Sequence, residues 1–283
     1  MKNNRKWKIM AVVLMLFMLT GCSTDFSEIA MDTSLSKVME TGGLFEAILI
    51  WPLAQAINYL ANWTGSVFWG IVLVTVVINV ALVLLTFKSN LQMQKMNTIQ
   101  PELQKIQKKY EGRDDQASQM RMSNEMQALY KKYDINPLGS LIAPFLQFPI
   151  LIAMYSAVRR SSAVLNGTFL GYTLALTPKE AFVNKDWPLL VIYVAMILCQ
   201  LVSVLMPQLI NKIKAKKEAE KHHKHYEEPK NPNAMMTYGM VIFIAFIMIS
   251  WPTALSLYYC ISSVVNIIKT IVMQIIADKQ AEK

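Results

Sequence analysis

Residues 67–87 run for 21 positions without a charged side chain. As a helix at about 1.5 Å per residue, such a run matches a bilayer hydrocarbon core of about 30 Å. Thr75, Asn79 and Thr86 interrupt it, and Asn79 lies near its middle. An uncharged amide at that depth needs a partner other than lipid.

Composition extends this reading. Charged residues make up 17% of the 283, and hydrophobic ones 54%. A soluble domain averages about 25% charged. The apolar residues lie in long blocks, which predicts an all-α membrane protein. Five spans are expected, at 67–87, 138–158, 188–210, 234–250 and 252–275. The fourth is short, about 25 Å as a helix, which calls for a locally thinned bilayer. Cys199 and Cys260 lie inside apolar blocks, so a disulfide framework is not expected. No GxxxxGK loop occurs, which excludes that route to nucleotide hydrolysis. His222, His223 and His225 sit in a Lys/Glu-rich stretch without a ligand cage, so no metal or other cofactor is expected.

The amino terminus reads as a lipoprotein signal peptide over 1–21. Lys2, Arg5, Lys6 and Lys8 form a basic head, and an apolar core too short to span follows. Leu19-Thr20-Gly21-Cys22 resembles a bacterial lipobox, with diacylglycerol and palmitate expected on Cys22; the alternative is an uncleaved anchor. Lipidation would place residue 22 outside the bacterial plasma membrane.

After Cys22, residues 22–43 read as an external tether. Residues 44–62 read as an interfacial amphipathic helix, with a plain packing helix as the alternative. The net charge of +9 is uneven, and basic residues cluster in 88–136 and 211–233. Both should be cytoplasmic by the positive-inside rule. The loop 159–187 then lies outside, and the tail 276–283 inside. Within 88–136, Met96, Ile99, Leu103, Ile106 and Tyr110 step by three or four. Gly112-Arg113-Asp114-Asp115 breaks the pattern, and Met122, Met126, Leu129 and Tyr133 resume it. That spacing predicts a cytosolic helical hairpin.

Polar residues recur at helical spacing inside three spans. Thr75, Asn79 and Thr86 mark the first, and Tyr193, Gln200, Ser203, Pro207 and Asn211 the third. Ser256, Tyr259, Ser263, Asn266 and Thr270 mark the fifth, while the second has Gln147 alone. Two readings stand: interhelical hydrogen bonds that hold a bundle together, or a hydrated groove. No charged residue lies at the centre of a span, which disfavours a pump.

Three stretches resemble the YidC/Oxa/Alb family of membrane protein insertases. The first runs from Met93-Gln94-Lys95-Met96 through Ile99-Gln100-Pro101-Glu102-Leu103 to Lys108-Lys109-Tyr110. The second is Ile135-Asn136-Pro137-Leu138, followed by Pro144 to Ile150 and Ala153-Met154-Tyr155. The third is Trp251-Pro252-Thr253-Ala254-Leu255-Ser256-Leu257-Tyr258-Tyr259. With the lipobox, the chain is similar to the lipoprotein form of Gram-positive bacteria. The resemblance implies insertion of nascent membrane proteins, alone or beside the Sec translocon. It implies a groove open to cytosol and lipid, here expected from Thr75, Asn79, Gln147, Gln200, Ser203, Tyr259, Ser263 and Asn266. It also implies a hairpin that meets substrate or ribosome, here through Lys105, Lys108, Lys109, Arg113 and Arg121. Membrane lipids are the remaining expected partner, and sequence-specific nucleic acid is not. The chain departs from the family at Asn79, where bacterial members usually carry an arginine, and at Leu84, where a proline is usual.

The rival readings are a packing or assembly factor with a dry interior, a channel or transporter, and an intramembrane enzyme. The last lacks a nucleophile–base pair in the spans.

Overall fold

The computed structural model describes residues 27–140, 142–221 and 234–281. Helices dominate them, with two isolated bridges and no strand among the described residues. The chain is an all-α protein with stretches fit to cross a membrane. In order the helices are α1 (Leu35–Phe45), a π-helical turn (Glu46–Ile50), α2 (Trp51–Thr64) and α3 (Val67–Leu85). Next come α4 (Phe87–Thr98), α5 (Gln100–Lys109), α6 (Gln116–Lys132) and α7 (Pro137–Ser140). α8 (Ile142–Arg160), α9 (Ser162–Asn166) and α10 (Pro178–Asn184) follow. α11 (Trp187–Lys221), α12 (Ala234–Met248) and α13 (Thr253–Ala281) complete the order.

Contacts divide the chain into two compact units. The first comprises Met1–Ile78, Leu146–Leu198 and Ile242–Ser262; the second comprises Asn79–Phe145, Cys199–Val241 and Ser263–Lys283. The five helices α3, α8, α11, α12 and α13 contribute residues to both. These are the five segments expected to span.

By length and apolarity alone, four stretches are fit to cross a membrane: Leu35–Thr64, Val67–Leu85, Trp187–Lys214 and Thr253–Ala277. Only the last three were expected. α12 has 15 residues, about 22 Å of helix, shorter than the expected segment.

The first unit is built on an apolar core. Ile50 of the π-helical turn and Ala54 and Ile57 of α2 pack with Ile71 and Val74 of α3, and with Met154, Ala157 and Val158 of α8. Leu189, Met196, Leu255 and Tyr258 complete its centre. Gly65 takes φ +66 and ends α2 in the left-handed cap that glycine favours. At Gly70 a Cβ would come within 2.9 Å of the Ala61 backbone, so α2 and α3 cross closely only because that side chain is absent.

Three sequence expectations change here. The stretch 22–43 is not a free tether from residue 27 onward. Ile29 N–H donates to Arg160 O (2.6 Å), and Trp51 Nε1 donates to Thr33 O (2.8 Å). α1 begins at Leu35, capped by Ser34. Second, 44–62 does not turn its polar side outward. Glu46 and Asn58 are buried, while Leu44, Ile48, Tyr59 and Trp63 are exposed. The reason is a set of polar partners inside the unit. Arg160 Nη1 reaches Glu46 Oε2 at 2.6 Å, with both side chains 3% exposed. Asn58 donates to Ile29 O (2.8 Å) and accepts from Ser161 Oγ (2.6 Å) and Ala163 N–H (3.0 Å). Third, the basic loop begins later and the tail is not loose. α11 continues to Lys221 and α13 to Ala281, both through residues that favour helix. The histidine-bearing remainder of that loop, and Cys22 with the expected signal peptide, lie outside the described residues.

The second unit contains the hairpin. Ile99 and Leu103 pack against Leu129 and Ile135, with Met96, Ile106, Met126 and Tyr130 around them. α5 ends at Lys109, Gly112 takes φ +77 in the turn, and the Asp115 carboxylate caps α6 by accepting from Ser118 N–H (2.8 Å). Tyr133, expected on the packed face, is exposed; its hydroxyl bonds Glu102 (2.5 Å).

Candidate functional site

Several polar residues of the long helices turn inward while many apolar ones face out. On α3, Thr75 is fully buried and Asn79 is 5% exposed, whereas Val77 is 65% and Leu84 71% exposed. In water this would be inside out. In lipid it is the arrangement that hides polar groups from hydrocarbon.

In the first unit, Thr75 Oγ1 donates to Ile71 O at 2.7 Å. Gln147 Nε2 donates to the Tyr258 hydroxyl at 3.3 Å. Tyr258 is thus the buried aromatic partner, and the expected Tyr259 stands half-buried beside it, edge to face. Tyr193 donates to Ala245 O at 2.8 Å, which joins α11 to α12. The Ser256 hydroxyl is buried and has no partner among the described residues.

The second unit holds Asn79, Gln200, Ser203, Ser263 and Asn266. Ser263 Oγ donates to Gln200 Oε1 at 2.7 Å, so two expected residues from different helices meet. Ser203 and Asn266 are half-buried, with no side-chain hydrogen bond among the described residues. The polar side of α3 continues onto α4, where sequence reasoning placed only a cytosolic hairpin. Thr86, Ser89, Asn90 and Gln94 are all buried. Asn90 Nδ2 donates to Thr86 Oγ1 (2.8 Å), Ser89 Oγ accepts from Ala143 N–H (2.9 Å), and Gln94 bonds Gln274. The Asn90 side-chain carbonyl oxygen has no partner among the described residues. Spacing could have shown this: 75, 79, 86, 90 and 94 fall near one helical face.

The motifs behind the resemblance are structural joints. Asn136 Oδ1 accepts from Leu138 N–H (3.1 Å) and Gly139 N–H (3.2 Å), an N-cap for α7 with Pro137 in its first turn. Thr253 donates to Leu176 O through both N–H (2.8 Å) and Oγ1 (2.7 Å), which fixes the start of α13. Trp251 packs on Tyr155 with centroids 4.5 Å apart.

On the hairpin, Lys105, Lys108, Lys109, Arg113 and Arg121 are all exposed. Lys109 is committed to Glu125 (2.5 Å), whose other donor is the Tyr110 hydroxyl (2.8 Å). The Lys109 hydrogen bond, then that of Tyr110, holds the Glu125 carboxyl below its usual range. Among the described residues no group of acids, cysteines and histidines could hold a metal.

A family model described as "60Kd inner membrane protein" matches residues 59–280. The chain belongs to this family, the YidC/Oxa family of membrane proteins. Within the family it is 29% identical over 266 residues to "Membrane protein insertase YidC 2" of Bacillus anthracis, covering 93% of this chain and 91% of that protein. It is 32% identical over 239 residues to "Membrane protein insertase YidC 1" of Streptococcus pyogenes serotype M6, covering 82% and 76%. It is 27% identical over 268 residues to "Membrane protein insertase MisCA" of Bacillus subtilis, covering 94% and 90%. The family match takes in all five long helices and the hairpin.

Proposed function

We propose that this chain inserts newly made proteins into the bacterial plasma membrane and helps them fold. Relatives that match it over most of their length are named membrane protein insertases. One structural observation carries the mechanism: Thr75, Asn79 and Ser263 are buried and Gln147, Gln200, Ser203 and Asn266 half-buried in the long helices, while many apolar residues of those helices are exposed. Asn79, Gln200, Ser203, Ser263 and Asn266 keep water among the helices of the second unit. A client's hydrophilic tail enters this groove from the cytosol, and its apolar segment passes into lipid. A charge at mid-bilayer costs about 2.5–3.5 kcal/mol on insertion scales, and a wet groove shortens the dry path. Burial of the client's apolar segment drives the step, at about 25 cal/mol per Å². The role is a binding one, not an enzymatic one.

In this reading Cys22 is lipidated outside, the hairpin and the C-terminus lie in the cytosol, and the groove is closed to the outside. Lys105, Lys108, Arg113 and Arg121 face clients or ribosomal phosphate, and the Sec translocon is a second partner. Depletion of the protein followed by membrane proteomics tests the function: multi-pass proteins with short hydrophilic tails should fall. Cysteines introduced at 79, 200 and 263 test the groove. Labelling by a water-soluble thiol reagent is expected; complete protection would favour a dry assembly factor.

A further inference from the structure

The segment 159–187 joins α8 to α11 and carries two exposed apolar tips. The first is a tight turn. Phe169 and Tyr172 exchange backbone hydrogen bonds at 2.8 Å and 3.0 Å. Leu170 and Gly171 between them have φ +54 and +84, the pattern of a type I′ turn. That turn favours Asn before Gly, and a leucine holds the left-handed backbone at a cost. Leu170 nonetheless occupies the tip and is 69% exposed. The second tip is α10. Viewed down its axis, at about 100° per residue, it has three sectors. Pro178 and Ala181 are buried. Phe182 and Val183 are 73% and 74% exposed, with Lys179 between them, and Glu180 and Asn184 form a separate polar side.

Both tips are fixed beside the starts of helices fit to cross a membrane. At Gly167 a Cβ would lie 2.2 Å from Val67 Cγ2, so the chain entering the turn is pressed against the first residue of α3. Phe169 stacks on Phe68 with ring centroids 4.5 Å apart, and Phe68 meets the exposed Trp69 edge to face. As a span, the 19 residues of α3 make about 28 Å of helix, no longer than a hydrocarbon core of about 30 Å. Residues 67–69, and the turn packed on them, therefore lie at the hydrocarbon edge and not out in water. α10 is tied just beyond the end of α12, where Lys179 N–H donates to Ile249 O (3.1 Å). Its exposed apolar pair shortly precedes Trp187, the exposed first residue of the stretch Trp187–Lys214. Exposed tryptophans suit that depth, and a lysine beside apolar side chains reaches from there to the headgroups.

We propose that Leu170 at the turn, with Phe182 and Val183 on α10, seats the loop 159–187 in the phospholipid of the adjoining leaflet, with Lys179 at the phosphates. In the orientation given above this is the outer leaflet. In lipid the leucine side chain offsets the cost of its backbone; in water it offsets nothing. The inference requires α3 and α11 to span, but not the insertase reading, and it stands if that reading falls.

The test places the photoreactive residue benzoylphenylalanine at position 170, 182 or 184 of the full-length protein in phosphatidylcholine vesicles. Illumination should give phospholipid adducts, read by mass spectrometry, severalfold more often at 170 and 182 than at 184. Position 183 should read as 182 does. Lipid yields at 170 and 182 no higher than at 184 would overturn the proposal. Adducts between two copies of the chain would assign the tips to a protein contact and overturn it too. Lipid at one tip alone would overturn the two-point seat.

Discussion

Both units pair most of their buried polar groups, and they differ in their half-buried ones. In the first, the buried groups form joints: Arg160 with Glu46 and Ser27, Asn58 with three partners, Thr253 with Leu176. The second also carries the half-buried side chains of Ser203, Asn266 and Lys269, which have no hydrogen bond among the described residues. Paired groups specify one geometry and cost little once satisfied. Unpaired ones keep their capacity for water or a client. The first unit therefore reads as a clamp that fixes helix ends, and the second as the working surface. The comparison separates two kinds of mutational effect, on stability and on transport.

The largest effect is expected at the Arg160–Glu46 pair. Arg160→Ala leaves a buried carboxylate without its counter-ion, a loss of about 3–5 kcal/mol. Thermal unfolding of purified protein should show it, and Glu46→Gln with Arg160→Met should recover much of it. If Arg160→Ala melts like wild type, the clamp does not depend on this pair. Asn58→Leu comes next. It strands Ala163 N–H and leaves Ile29 O with Ser162 N–H as its donor, a loss of about 1–3 kcal/mol. The same melt reads it, and the N-terminal segment should become sensitive to protease.

In the second unit the order of effects reverses. Asn79→Leu and Asn266→Leu should change the melting point little, because interhelical polar bonds average about 0.6 kcal/mol. Both should slow client insertion when they replace the wild-type copy in a depleted strain. Asn79→Arg should be tolerated better than Asn79→Leu. Full activity of the leucine variant with loss of the arginine variant would remove residue 79 from the hydrated lining.

What the sequence disclosed follows the same division. Local periodicity exposed the span helices and the hairpin, because a helical face repeats every three or four residues wherever it packs. Gly112 and the acids after it marked the turn for the same local reason. The clamp was hidden because its partners are distant in the chain: Glu46 and Arg160 are 114 residues apart. Each was an anomaly by itself, an acid in an apolar helix and an arginine at a span boundary, and pairing them was the available signal. The polar side of α4 was missed because Lys88 and Lys95 dominate its composition, although Ser89, Asn90 and Gln94 alone are buried. Tyr258 and Tyr259 are adjacent and chemically alike, so only packing distinguishes the buried partner of Gln147.

The smallest effect concerns the hairpin, where pairing exists but is exposed. Lys109 and Tyr110 both donate to Glu125, which lowers the pKa of that carboxyl. A carboxyl with a depressed folded pKa stabilises above its unfolded value, near 4.3. The contribution is lost as pH falls through the lower folded value. Asp115 behaves alike through its bonds to Ser118. Hydrogen exchange over residues 100–132, corrected for the intrinsic rate, should show slightly less protection in Glu125→Gln than in wild type at pH 7. The difference should vanish in acid, once wild-type Glu125 is protonated. A gap that persists there would mean that the glutamine disturbs packing rather than charge, and that exposed pairing on the hairpin resembles the buried joints of the first unit more than its solvent exposure implies.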